Sequence, residues 1–376
     1  MEKMNRRAPC FLAIILLAAP FAASPVPAEE VIRIGEEAGW QRIERMRTVT
    51  FEEGTGDYRD LVLRERTYEG GRQDLDLLLH FDRTPFHDAA GLYEVEAPHD
   101  VTLTGNAMLG GGAAKFERQN GGLSLIPGEN AFFAPYTVKG SFSIEFWMYP
   151  LHLADGETIL GWQGQNFLGE ELFLQHIRAR VRMRSLVFDF SNVFFSSDFS
   201  PQSVVLSGMS KLVPKEWHHH LLTFDAERGL LEYYLDGKPE AVRYVTDTGD
   251  ESGTVRRPYI GEASEEHLAI GPDFDGNLDE LRITGRYERD PRLAPYEYTL
   301  GWAETGLIDF GSAGSQLVSI DADTAEPPET DVYFFYRIYD SVEEAYADSA
   351  RWIRFTPGGE LPGSPDLRQG HFVQLR

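Results

Sequence analysis

Four arginines recur at every second position in residues 176–185, HIRARVRMRS: Arg178, Arg180, Arg182 and Arg184. Side chains of a β-strand alternate between its faces, so the four form one basic stripe, with Ile177, Ala179, Val181 and Met183 turned to a core. A row of guanidinium forks suits sulfated or carboxylated glycans. It equally suits a solvated face whose repulsion is relieved by acidic neighbours such as Glu170, Glu171 or Glu232. Asp273, Asp275, Asn277 and Asp279 alternate as ligands do in an EF-hand calcium loop, but Leu278 stands where that loop needs glycine and Thr284 where it needs glutamate. His218 and His220 flank His219, share a strand face and offer two zinc ligands in want of a third. Trp147, Tyr149, Trp162, Tyr233 and Tyr234 offer ring faces on which a sugar stacks, although most aromatics in a large β-protein are core residues.

These groups sit in a chain of 376 residues with a formal net charge of −25. Such acidity disfavours nucleic acid and attracts divalent cations. Lys3, Arg6 and Arg7 precede an apolar run from Cys10 to Ala23, followed by small residues and prolines. This order is that of a secretory signal peptide, with cleavage expected between Ala23 and Ala28 and no transmembrane segment left in the mature chain. Removing residues 1–28, which carry those three cations against Glu2, leaves a charge near −27. Cys10 is the only cysteine, so the exported chain has no disulfide, thiolate ligand or cysteine nucleophile.

The elements that must position the side chains are strands. Glycine (36 residues), proline (21) and aromatics (12%) are abundant, and apolar residues alternate rather than recur at helical spacing. In Ser141 to Tyr149, SFSIEFWMY, Phe142, Ile144, Phe146 and Met148 oppose Ser143, Glu145, Trp147 and Tyr149. Asp236-Gly237 is the strongest hairpin-turn signal in the chain. Many short strands with frequent turns predict an all-β antiparallel sandwich.

Several stretches of residues 72–290, taken together and in order, resemble the concanavalin A-like lectin/glucanase superfamily, in particular its laminin G-like (LamG) modules of bacterial surface proteins. Leu77 to Asp82 (LLLHFD) with Asp88 to Gly91 resembles the opening strand and loop. Ser141 to Pro150 with Thr158 to Leu160 is similar to F-T-I-E-F-W-x-x-P followed by x-L-L. Glu216 to Gly237 resembles the W-H-H-V-A … L-Y-x-D-G hairpin, and Phe274 to Ile283 (FDGNLDELRI) the closing F-x-G-x-I-D-E-V-R-I. The resemblance implies a two-sheet jelly roll over residues 72–290, with His219 a buried hydrogen-bonding residue. It also implies one structural Ca²⁺ held by Asp279 with main-chain carbonyls, Asp82 being its expected neighbour. Its glucanases carry E-x-D-x-E on one strand, with carboxylates about 5–5.5 Å apart. Here Glu145 stands alone on its strand, and Asp279 and Glu280, being adjacent, fall on opposite faces. No glycosidase set is expected.

The expected organisation is a signal peptide (1–28), an N-terminal strand and loop segment (29–71), the jelly roll (72–290), a linker (291–299) and a second, smaller β-sandwich module (300–376). The expected function is a non-catalytic binding module, secreted, periplasmic or at the cell surface. It recognises a glycan or an extracellular protein partner, with Arg178, Arg180, Arg182, Arg184, Trp147 and Tyr149 as ligand-binding candidates. A purely structural or adhesion domain is the alternative, and a glycan-active enzyme a more remote one.

Overall fold

A computed structural model describes residues 11–17 and 29–376, apart from 55–57, 67, 69–73, 97–100, 119–121, 264–267, 292, 295, 297–299, 327–329 and 348–349. The chain forms two compact units, Glu65–Pro295 and the combination of Met1–Arg64 with Tyr296–Arg376. Both are built almost wholly of antiparallel strands. No helix among the described residues is long and apolar enough to cross a membrane.

The larger unit is a two-sheet sandwich. Eight of its strands position the groups discussed below: β1 (Leu75–Leu79), β2 (Phe142–Pro150), β3 (Thr158–Leu168), β4 (Glu171–Arg182), β5 (Ser185–Phe195), β6 (His218–Asp225), β7 (Leu230–Leu235) and β8 (Gly276–Thr284). One sheet has eight strands and contains β7-β6-β2-β8 in that order, with β1 along the far edge of β8. The other has ten strands and contains β5-β4-β3. Alternation drives the assembly. Phe142, Ile144, Phe146 and Met148 of β2 enter the core with Leu77, Leu79, Leu278, Leu281 and Ile283. From the opposite sheet come Trp162, Ile177, Ala179, Val181, Phe188 and Phe190. Each fully buried Leu, Ile, Val, Phe or Met among them contributes roughly 1.5–3 kcal/mol.

Two carboxylates organise loops of this unit, as buried acids do when main-chain N–H groups surround them. Asp88 is one, in the stretch that resembles the family's opening loop. It accepts the N–H of Leu78 (2.9 Å), Ala90 (2.9 Å), Leu92 (2.8 Å) and Tyr93 (3.0 Å), fastening the following loop to β1. Glu240 is the other, accepting from Met209 and Ser210 at 2.6 and 2.7 Å. The Asp236-Gly237 turn forms as expected, both residues having positive φ (49° and 71°) between β7 and the strand Lys238–Tyr244.

The outer face of the eight-stranded sheet is covered rather than solvated. The Ser143 hydroxyl donates to the carbonyl of Arg286 (2.7 Å), and the N–H of Glu288 donates to Ser143 (3.1 Å) and Thr223 (2.9 Å). Tyr68 lies over Arg282, with the guanidinium carbon 4.1 Å from the ring centroid.

In the smaller unit, Ile32 and Ile34 share a core with Ile308, Phe310, Leu317, Ile320, Tyr336, Val373 and Leu375. Residues 29–64 therefore belong with the C-terminal module, not to a separate segment running to 71. The apolar run of the expected signal peptide contributes Phe11–Leu17, which pairs with Glu29–Ile34 and with Ser315–Asp323. The expected cleavage window, Ala23 to Ala28, lies outside the described residues.

Candidate functional site

Strict alternation places Asp279 and Glu280 on opposite faces of β8, and the structure corrects this. Leu278 and Leu281 both enter the core although they are three positions apart. Trp147 pairs with Asp279 and Glu145 with Arg282, so Glu280 and Leu281 together oppose Phe146. Glu280 has a φ of 48°. This is a β-bulge, and it turns both acids to the outer face.

The edge of β8 exposes the bulge to a second element. β1 pairs with residues 281–284 and Ala113–Phe116 with 276–278, leaving Asp279 and Glu280 in the gap between them. His80, the residue after β1, enters this gap and puts Nδ1 2.9 and 3.1 Å from the two Glu280 carboxylate oxygens. Asp82 completes a group in which one ligand atom each from His80, Asp82 and Glu280 lies within 4.8 Å of the others. Among the described residues this is the one cluster of three with metal-ligand chemistry. A cleft lined by His80, Phe81, Asp82, Arg83, Phe86 and His87 adjoins it.

The loop before Ala113 ties the acids down. Asp279 Oδ2 accepts the N–H of Met108 (2.8 Å) and Leu109 (2.9 Å), and Asp82 Oδ1 accepts those of Gly111 (2.6 Å) and Gly112 (3.1 Å). Asp279 Oδ1 is buried and has no hydrogen-bond partner. Gly110 sits at a φ of +62°, and a Cβ there would come within 2.3 Å of Asp82 Oδ1. Burial, helped by the charges of Glu280 and Asp82, pushes the Asp279 carboxyl well above the carboxylate range. Burial also raises Glu280, against the opposing pull of His80. The bond to Glu280 raises the His80 imidazole.

Calcium at Asp279 is an expectation from the resemblance alone, and the structure brings Asp279 and its expected neighbour Asp82 to one loop. Calcium asks for six to eight oxygens. Here N–H groups of the loop donate to both carboxylates, and an imidazole nitrogen stands in the cluster. These residues do not fit an oxygen-only calcium site. His80 and Glu280 are the site residues that sequence reasoning missed. His80-x-Asp82 was visible as a spacing, whereas Glu280 was hidden by a bulge that alternation cannot foresee.

The basic stripe forms with three members, not four. Arg178, Arg180 and Arg182 alternate with buried Ile177, Ala179 and Val181 on the outer face of the ten-stranded sheet. Met183 and Arg184 both have positive φ (50° and 61°) and make the two-residue turn between β4 and β5. Met183 is consequently 67% exposed rather than in the core. Arg184 leaves the stripe and donates to the Leu212 carbonyl at 3.1 Å. Nor do the expected acids serve the stripe. Asp189 does, 3.2 Å from Arg180 and 3.3 Å from His176. Among the described residues no carboxylate forms an ion pair with Arg178 or Arg182, although Asp189 stands opposite Arg178 in register. In register with Arg178 lie Gly161, Ala269 and Ser124, so the sheet beside it presents a floor of small residues.

Of the aromatic candidates, Trp147 is 4% exposed and packs edge-on against His219 at 4.9 Å, with no face left for a sugar. Tyr149 is half-buried against Trp217 (5.4 Å). Trp162, Tyr233 and Tyr234 are buried. The histidine triplet has separate duties. His218 Nδ1 is 2.9 Å from Asp236, His219 Nε2 is 3.5 Å from Glu145, and His220 Nδ1 is 2.9 Å from the Tyr233 hydroxyl. His220 stacks on Phe146 at 5.1 Å, as a core residue.

Residues 128–289 match the Laminin_G_3 family of the concanavalin A-like lectin/glucanases superfamily. No curated protein matches the chain. Distant likenesses among solved structures include domain 4 of AbnA, a GH43 extracellular arabinanase from Geobacillus stearothermophilus, in complex with arabinotriose. It is 19% identical over 58% of this chain and 95% of that one, with a TM-score of 0.36. The binding domain of botulinum neurotoxin serotype G is 12% identical over 80% of this chain and 81% of that one, with a TM-score of 0.37. The CBM40 of Ruminococcus gnavus IT-sialidase, bound to α2,3-sialyllactose, is 10% identical over 40% and 78%, with a TM-score of 0.28. Over residues 128–289 the chain thus carries a laminin G-type domain of the concanavalin A-like lectin/glucanase superfamily.

Proposed function

We propose that this chain is an exported, non-catalytic binding module that recognises an acidic carbohydrate on the outer face of its ten-stranded sheet. The observation that carries the reading is the pair Arg178 and Arg182, cations on a sheet surface that form no ion pair among the described residues, with Asp189, opposite Arg178, turned to Arg180 and His176, in a chain whose net charge is −25. Successive stripe positions are about 7 Å apart, so carboxylates or sulfates of an extended glycan meet them in turn. Gln163 and His176 pair across β3 and β4 on the same face. The non-catalytic part rests on Glu145. The single carboxylate of β2 is buried against Arg282 and His219 and is no free acid or nucleophile.

The test is calorimetric binding of heparin, polygalacturonate and a neutral β-glucan to the wild type and to Arg178→Ala/Arg182→Ala. The acidic polymers should bind, the variant should lose roughly tenfold or more in affinity, and added salt should weaken the wild type. Export is tested by N-terminal sequencing of the protein recovered outside the cytoplasm, which should begin between residues 24 and 29. A protein partner is a second reading, favoured by Phe167, Leu172 and Leu174, which are 59%, 47% and 67% exposed at the tip of the β3–β4 hairpin.

A further inference from the structure

We infer that His80, Asp82 and Glu280 form a site for a transition-metal ion of the zinc class, independent of the glycan face. The donor set is one imidazole and two carboxylates. Hard cations such as calcium and magnesium take oxygen alone, whereas zinc and its neighbours accept imidazole together with carboxylate.

Ligand atoms on one tetrahedral zinc stand roughly 3.4 Å apart. The His80 nitrogen and the Glu280 oxygens already lie at 2.9 and 3.1 Å, and the whole group falls within 4.8 Å. Small side-chain rotations therefore bring three donors onto one ion, which takes the position between His80 and Glu280 now bridged by a hydrogen bond. The surroundings have the features of a supported site. N–H groups of Gly111 and Gly112 orient Asp82, as outer hydrogen bonds orient metal-binding carboxylates. Independently of the three donors, the adjacent Asp279 is fully buried and keeps Oδ1 without a partner. Its other oxygen is fixed by Met108 and Leu109. The cleft formed with Arg83, Phe86 and His87 reaches His80 and Asp82 and supplies an entry path. The bland alternative is that His80 and Glu280 are a plain ion pair at a strand end.

The experiment uses the full chain stripped with a chelator, in the absence of carbohydrate. Zn²⁺, Co²⁺ and Ca²⁺ are titrated separately by calorimetry, and the visible absorption of the Co²⁺ form is recorded. One equivalent of Zn²⁺ or Co²⁺ should bind, with a Co²⁺ spectrum of low coordination number, and Ca²⁺ should bind much more weakly. His80→Ala and Glu280→Gln should each weaken Zn²⁺ by about tenfold or more. Because either variant risks misfolding, acylation of His80 in the wild type is followed by mass spectrometry, and stoichiometric Zn²⁺ should protect it. Absence of stoichiometric Zn²⁺ and Co²⁺ binding, tighter binding of Ca²⁺, or unchanged acylation of His80 with Zn²⁺ present would each overturn the assignment. None of these outcomes bears on glycan binding by the arginine face.

Discussion

At the scale of single residues, the outer face of the eight-stranded sheet holds charge in a place where water does not reach. Glu145 is 2% exposed, pairs with Arg282 and has His219 Nε2 at 3.5 Å. Burial alone would raise its pKa, but His219 and Arg282 outweigh that cost and hold it at about 2. A pair of this kind costs about 3–5 kcal/mol when one partner is removed, because the survivor stays buried and unpaired. Arg282→Met should therefore destabilise the larger unit by about that amount in urea titrations, and Glu145→Gln/Arg282→Met by less than Arg282→Met alone. The sign with pH follows from the depressed value. The contribution of Glu145 is complete above its ordinary pKa of 4.5 and disappears as pH falls toward about 2. Wild type and Glu145→Gln should converge in stability over that window. A difference between them that does not change with pH would contradict the ionised pair. The arginine stripe was legible at this scale because alternation alone specifies it. Trp147 was not, since a strand pattern says which residues share a face and not whether that face is covered.

At the scale of elements, two short backbone departures decide which side chains meet. The bulge at Glu280 and the turn at Met183-Arg184 both use residues with positive φ that are not glycine. No residue type announces them, which is why Glu280 and Arg184 were misplaced while Asp236-Gly237 was placed correctly. The turn predicts its own improvement. A type I′ turn prefers Asn-Gly, so Met183→Asn/Arg184→Gly should raise the stability of the larger unit by about 0.5–1 kcal/mol. It should also leave binding of acidic glycan unchanged, since Arg184 lies off the stripe. Lost binding on thermal and calorimetric assay would return Arg184 to the site. Gly110→Ala is the opposite case. A methyl group there strikes the Asp82 carboxylate and sits at an unfavourable φ, so a loss of about 1–3 kcal/mol is expected. The melting temperature of the variant checks it, and an unchanged value would show that the loop adjusts freely.

At the scale of the whole molecule, the order of motifs along residues 72–290 was enough to read the sandwich, because each motif is local. The smaller unit was not legible in the same way. Its core joins Ile32 and Ile34 to residues beyond position 300, and apolar patterning carries no information about partners so distant in the chain. The proposed glycan face of the larger unit rests on a contrast in charge: in a strongly acidic protein, Arg178 and Arg182 lie on one sheet surface and form no ion pair among the described residues. The most direct measurement of that claim is the affinity of the full chain for a carboxylated polysaccharide compared with its neutral counterpart, in wild type and in Arg178→Ala/Arg182→Ala. The account predicts binding to the acidic polymer alone and its loss in the variant. Equal affinity for both polymers, or equal affinity of the wild type and the variant, would contradict it.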